Sequence, residues 1–511
     1  MTQLRVVRTQ ALTISEQVEA VFSNPDLYEL AAEVPMRQPT GRHSEHPAWA
    51  LLAYGVLARV FRSGARVEGE LADPVTWARV LDVVEAVRAA HPDLDIPPAG
   101  ARPPAWDAFK HARNHYFTDP ELLQTLQQRF TELAVAQARG AGLLDPYGPG
   151  SLCHPDRSRL VYGDGTVVRP MYRPPAATRS TDPVTGEVTI TYLDPAGKPI
   201  PAPTHRFDPD AADHHGHTGS VHGQNYVGLY SRGEAAHSRI VLAVARVERP
   251  GLEADTAVAA VKALHAITGP GILAVVYDGA MRGTHIDDLM GSCGLLVISK
   301  VHASAKTAAR KGRPAPKPRW FTLGTWEHDT PSGSCTHQLA AVDGAVSEVS
   351  LDVSGKPVVL SRLDRKQVKR SRRGTGLFHF NVAYDVPCPG GSFLAWVTPH
   401  GEPGDDNHRR ADAMRVIAEG EPDFAKLYSI RSDAESFNSQ LKRTLLVNRA
   451  MSLGGRRQLL DFLCFGVLRN SEAAYRARAA TAQRELAGRA IGRRKLARQA
   501  TAQQEQPGLT A

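Results

Sequence analysis

Residues 428–442 read Tyr-Ser-Ile-Arg-Ser-Asp-Ala-Glu-Ser-Phe-Asn-Ser-Gln-Leu-Lys, and Tyr428, Arg431, Glu435 and Lys442 stand in it at offsets of 0, 3, 7 and 14. At about 100° per residue these four fall within roughly 60° of one another on a helix. Leu427, Ile430, Ala434, Leu441 and Leu445 form an apolar stripe about 100° to one side. The helix thus has a core face and, beside it, a face with a carboxylate, two cations and a phenol. Asp433 lies about 160° around from Glu435 and is excluded from that face. A carboxylate held among cations at the edge of a core suits a site that handles metal ions and phosphates. Arg431 and Glu435 also have the spacing of an ordinary i,i+4 surface ion pair.

Two further acids fit the first of these readings. Asp164 lies within Leu-Val-Tyr-Gly-Asp-Gly-Thr-Val-Val (160–168), and Asp278 closes Ile-Leu-Ala-Val-Val-Tyr-Asp-Gly (272–279). Both runs are apolar and β-branched, as buried strands are. An aspartate there is costly unless it is paired or binds a metal. Taken singly, each is equally a turn residue before glycine. Together with the Glu435 helix they read as one acidic constellation in an α/β fold.

The spacing Y-x2-R-x3-E-x6-K, met by Tyr428, Arg431, Glu435 and Lys442, resembles the signature of bacterial transposases of the insertion-sequence-four group. The resemblance covers about residues 155–475. It implies an RNase H-like catalytic core, with Asp164, Asp278 and Glu435 as catalytic residues and as ligands of two Mg²⁺ ions, for which Mn²⁺ substitutes. Tyr428, Arg431 and Lys442 then belong to DNA, and Arg282, four residues after Asp278, is a further candidate for phosphate. The implied activity is cut-and-paste transposition, by DNA end cleavage and strand transfer. The implied partners are double-stranded DNA, as terminal inverted repeats and target, and a second copy of the chain on that DNA. Members of the family place an aromatic near the second aspartate to hold an extruded base. This chain has Met281 there. The alternative is a catalytically inactive or repurposed DNA-binding protein derived from such an enzyme.

The charge balance agrees with a polyanionic partner. The formal net charge is +8 and the pI is about 9.2. Lys300–Arg319 is a basic run without acids, and Arg362–Arg373 holds Asp364 alone against its cations. Such runs are solvated faces or, flanking a phosphate-handling site, contacts to DNA backbone. The expectation is backbone contact by Lys306–Arg319 and by Arg365, Lys366, Lys369 and Arg370. The five cysteines are scattered without a C-x2-C pair, which suits free thiols in a reducing cytoplasm. No apolar run approaches the roughly 20 residues of a membrane span, and the start lacks a signal-peptide core. These features predict a cytoplasmic, nucleoid-associated protein. A G-x-S-x-G elbow, a P-loop and a dinucleotide fingerprint are absent.

The chain divides into five stretches. Residues 1–150 read as helical, with helices at Pro47–Phe61, Thr76–Ala90 and Pro120–Ala141, and form either a DNA-end-binding or a packing and dimerisation module. Residues 155–300 hold the first part of the core, with an excursion at 169–222. Residues 301–405 form a β-rich insertion, since far more chain separates Asp278 from Glu435 than a core connection needs. Residues 410–475 complete the core, and 476–511 are a basic helical tail, partly disordered. Within the excursion, His205, His214, His215, His217 and His222 lie among Asp208, Asp210 and Asp213. They read as a polar loop first and as a zinc site second, because the spacing fits no finger.

Overall fold

The apolar run around Asp164 becomes the centre of a mixed sheet. A computed structural model describes residues 11–504 apart from 36–44, 183–184, 187, 217–218, 303–311, 313, 315, 332 and 401–407, with helical side chains described as far as residue 485. Strand β1 (Leu160–Val168) pairs antiparallel with β2 (Gly219–Arg232), which pairs antiparallel with β3 (Arg239–Arg246). On its other side β1 runs parallel to β4 (Ala274–Val276), and β4 runs parallel to β5 (Leu296–Ile298). The spatial order is β3-β2-β1-β4-β5, and β2 alone is reversed. The strand Ala212–Gly216 extends β2 as a hairpin. Leu160 to Tyr162, Ala274 to Val276 and Leu296 to Ile298 are all buried, as expected of parallel strands covered on both faces.

Helices provide that cover. Glu253–Thr268 connects β3 to β4, and Gly283–Asp288 lies between β4 and β5. Tyr230 stacks on Phe437 of helix Arg431–Arg443, and Tyr226 meets Phe462 of the long helix Gly455–Gln504 edge-on. Asn225 of β2 and Tyr277, just beyond β4, turn instead to Glu253.

The N-terminal region is helical. Its elements include Ala48–Phe61, Pro74–Ala90 and Pro120–Gly140. Asp119 caps the last of these by accepting from the backbone N–H groups of Glu121 and Leu122. These helices share one apolar core with the sheet. Cross-links to the long final helix include Arg59 with Asp461, Asn24 with Ser471, and Gln137 with the carbonyl of Asn470. That helix runs to Gln504, and residues 505–511 lie outside the described residues.

The region after β5 is β-rich. One sheet has four strands, Trp320–Thr330, Gly333–Val342, Ala345–Leu351 and Pro357–Arg362. A second has three, Asp364–Arg372, Phe378–Val386 and Phe393–Val397. The basic run Arg362–Arg373 is therefore mostly a strand, and this changes its meaning. The Arg365 side chain is 2% exposed and pairs with Glu421 at 2.6 Å and Asp423 at 3.5 Å. Arg370 donates to the carbonyl of Gly294 and lies over Phe378. These two cations are used inside the protein, whereas Arg362, Lys366, Lys369 and Arg372 are exposed. Of the other run, Lys306, Arg310, Lys311 and Arg313 lie outside the described residues.

Several residues of the histidine-rich stretch have structural partners. Asp208 is buried and accepts from Gln224, Gln458 and the backbone N–H of Gly454, fixing the start of the long helix. His205 stacks on Tyr172, and His222 approaches Asp213 at 3.3 Å. Among the described residues these side chains do not gather into a group of metal-binding atoms, and His217 lies outside them.

Candidate functional site

Asp164 stands on β1, and Asp278 lies two residues beyond the end of its parallel neighbour β4. The register pairs Tyr162 with Val276, so each aspartate follows that last pair by two residues, at the same end of the sheet. Asp164 lies mid-strand, and Asp278 follows the end of β4, where its carboxylate accepts the N–H of Ala280 at 2.8 Å.

The helix that carries Glu435 starts at Arg431, not upstream of Tyr428. Tyr428 ends a separate helix, Pro422–Tyr428. Between them the backbone tightens: Ile430 bonds back to Leu427 and Asp433 to Ile430, three residues each. The single helical wheel expected for Tyr428 to Lys442 thus holds from Arg431 onward only. Tyr428 still reaches the site's edge, half-buried, stacked on Phe424 with Lys300 over its ring at 5.4 Å.

Asp433 fixes this helix to the sheet. It is buried and bonded to Tyr162 at 2.5 Å, to Arg232 at 2.7 Å and to Arg239 at 2.7 Å. Its position away from the Glu435 face, read from the helical period, is what lets Glu435 look the other way. The anchor fixes the rotation of the helix about its axis.

The three acids converge on one guanidinium. Arg431 Nη2 is 3.1 Å from Asp164 and 3.9 Å from Asp278, and Nη1 is 2.6 Å from Glu435. As a set the carboxylates do not close to within 4.8 Å of one another, because Arg431 fills the centre. Glu435 is 58% exposed at its side chain, so it is free to turn. Lys442 lies two turns further along, half-buried, and burial lowers its pKa. Arg282 is exposed at the start of the helix Gly283–Asp288, and among the described residues it makes no ion pair with the three acids.

Two residues at the site escaped the sequence reading. Asn438 donates to Asp164 at 3.0 Å and accepts from the Tyr230 hydroxyl at 3.3 Å. It follows Glu435 by three positions and Arg431 by seven, so the helical period places it on their face. Glu253, at the start of its helix, is held by Asn225 at 2.8 Å and by the Tyr277 hydroxyl at 3.4 Å. Gly165 leaves room for it: a Cβ there would lie 2.1 Å from the Glu253 carboxyl carbon. No local pattern marks Glu253, because only the fold brings it behind β1.

The electrostatics follow from this crowding. Burial first pushes the Asp164 carboxyl up to about 7; Arg431 opposes the shift, and Asp278, Glu253 and Glu435 add to it. Burial likewise raises Glu253. One guanidinium does not neutralise four carboxylates. The donor set is all oxygen, partly buried and short of positive charge, which is the chemistry that suits a hard divalent cation. No family model matches the chain, and no curated protein matches it.

Proposed function

We propose that this protein is a metal-dependent DNA-cleaving and strand-transferring enzyme, a transposase of the insertion-sequence-four kind. The observation that carries the reading is the convergence of Asp164, Asp278 and Glu435, distant in sequence, on the guanidinium of Arg431. The strand order β3-β2-β1-β4-β5 with β2 alone reversed supports an RNase H-like core. So does the position of Asp164 on the central strand β1 and of Asp278 just beyond the end of its parallel neighbour β4.

Asp164, Asp278 and Glu435 would hold Mg²⁺ or Mn²⁺, which when bound supplies an activated water and stabilises the leaving oxygen of the phosphodiester. The remaining roles belong to the chain. Asn438 orients the Asp164 carboxylate by its amide donor. Asp433, through its two arginines and Tyr162, sets the rotation of the Glu435 helix. Arg431 holds the acids together and offers a planar fork to a DNA phosphate, and Lys442 a point charge. Tyr428 presents a half-buried ring beside them, suited to packing on DNA near the cut.

The test uses DNA carrying the inverted repeats that flank the coding region, with Mg²⁺. The wild-type protein should nick at the repeat ends and join them to target DNA. Glu435→Gln should bind the same DNA and fail to cut it, since a neutral amide does not replace a metal-binding carboxylate. Cleavage at the normal rate by that variant, or by the wild type in excess chelator, contradicts the proposal.

A further inference from the structure

A second cluster of ligand-type side chains lies in the β-rich region, built from segments far apart in sequence. His328 is on strand Trp320–Thr330, and Cys335 and His337 are on strand Gly333–Val342. The antiparallel register sets His328 directly opposite Cys335. His337 comes two residues later, so all three side chains leave the same face. Cys388 arrives from the other sheet of the region, in the turn after strand Phe378–Val386. One ligand-type atom from each of His328, His337 and Cys388 lies within 4.8 Å of the other two. Cys335, opposite His328, stands on the same face of the sheet, the one that Cys388 meets.

The polar atoms of this cluster lack the partners that burial demands. His337 Nδ1 is 2.7 Å from the Glu348 carboxylate. Nδ1 therefore donates, which in the neutral ring leaves the Nε2 lone pair for a ligand. That Nε2 is buried without a hydrogen-bond partner, and so is Nδ1 of His328. A buried imidazole nitrogen left unpaired is costly, so two of them beside two thiols call for an occupant. A carboxylate behind a histidine is the arrangement that fixes the ring of a metal ligand. Phe393 closes the apolar side, with its ring 4.6 Å from that of His328 and 5.2 Å from that of His337.

We propose that His328, Cys335, His337 and Cys388 bind one Zn²⁺ ion in a closed, structural site that staples the two sheets of the β-rich region together. Zinc takes sulfur at about 2.3 Å and imidazole nitrogen at about 2.0–2.1 Å, so tetrahedral ligand atoms stand about 3.3–3.8 Å apart. His328, His337 and Cys388 need only a small contraction to reach that, and Cys335, opposite His328 on the same face, is placed to supply the fourth ligand. Four protein donors leave no position for water or substrate, which makes the site structural. The proposal is independent of the carboxylate site, whose oxygen donors suit a harder ion.

The full-length protein, purified in reducing buffer without chelator, should carry one zinc per chain by elemental mass spectrometry. Cys335→Ser, Cys388→Ser and His328→Ala should each reduce this well below one, while Cys153→Ser, at a thiol outside the cluster, should leave it unchanged. Protein stripped of metal should melt at a lower temperature and recover on adding Zn²⁺. Should the variants fail to fold, Co²⁺ added to the stripped wild type decides. Tetrahedral thiolate ligation gives intense visible d–d bands with sulfur-to-cobalt charge transfer, which carboxylate ligation does not. Folded, metal-free protein that shows no such bands overturns the proposal. So does a Cys335–Cys388 disulfide in peptide mapping of the reduced-buffer preparation.

Discussion

The carboxylate cluster of the core sheet and the thiol–imidazole cluster of the β-rich region are both assembled from distant segments, yet they differ in almost every physical respect. The first is all oxygen, has a cation in its middle and leaves Glu435 exposed. The second is sulfur and nitrogen, is walled by Phe393 and leaves buried ring nitrogens without partners. An open, charge-deficient set of hard donors suits an exchangeable ion and a substrate. A closed set of soft donors suits an ion that holds the fold. The difference teaches that exposure and donor type together, more than proximity alone, decide which kind of ion a cluster suits.

The largest expected effect is on cleavage. Asp278→Asn should lower it by about 10³-fold or more, since a lost ligand removes several kcal/mol of charge stabilisation. The zinc content of that variant should stay at one per chain. Loss of zinc together with cleavage would mean that the two clusters are not independent, and the comparison would fail.

Next in size is the anchor of the Glu435 helix. Asp433→Ala leaves Arg232 and Arg239 without their carboxylate, and unfolding free energy should fall by about 3 kcal/mol. Glu435→Ala on the same helix is exposed and should cost no more than about 0.5 kcal/mol. Denaturant melts of the two variants compare them, and equal losses would remove the division of labour between Asp433 and Glu435.

A third effect is one of pH. Asp164 is raised from 3.8 to about 7, chiefly by burial. Its folded value lies above its unfolded one, so the folded state keeps the proton longer. Ion-free protein should therefore lose stability as pH rises from about 4 to about 7. Metal binding needs the carboxylate, so Mn²⁺ affinity should climb up to about tenfold per unit below about 7 and level off above it. Calorimetric titration over that interval measures this, and Asp164→Asn should flatten it. A flat profile in the wild type would detach Asp164 from the ion.

The smallest effect concerns the basic strand. Replacing Lys366, Lys369 and Arg372 with glutamine should weaken binding to all DNA sequences alike and reduce the salt slope by up to about 2.7, at about 0.9 per phosphate. Fluorescence anisotropy against salt gives that slope. Arg365→Gln should act on stability instead, because its partners are Glu421 and Asp423.

The carboxylate site was largely legible because each acid sits on an element with a readable period. Asp164 and Asp278 interrupt β-branched runs, and Glu435 and Asp433 fall on opposite sides of one helix. Asn438 was equally accessible from that period and went unread. Glu253 was hidden, since its approach to β1 depends on a glycine in another strand. The tightened turn at Ser429–Ile430 escaped because neither residue is a helix breaker. The thiol–imidazole cluster was invisible for a different reason. His328 and Cys335 meet through a strand register, and Cys388 through the meeting of two sheets, neither of which a linear spacing records. The histidine-rich stretch at 205–222 looked more metal-like in sequence, yet Asp208 there is consumed by the N-terminus of the long helix. Arg365 shows the same limit, for a basic run does not state which of its cations face inward.

The most direct measurement is a crystal structure of the protein soaked with Mn²⁺, with anomalous scattering recorded on both sides of the manganese and zinc edges. Manganese bounded by Asp164, Asp278 and Glu435, with Arg431 displaced from their centre, is the expected result. Manganese absent from those carboxylates at saturating concentration, with Arg431 still paired to all three, would contradict the assignment of this site to metal-dependent DNA cleavage.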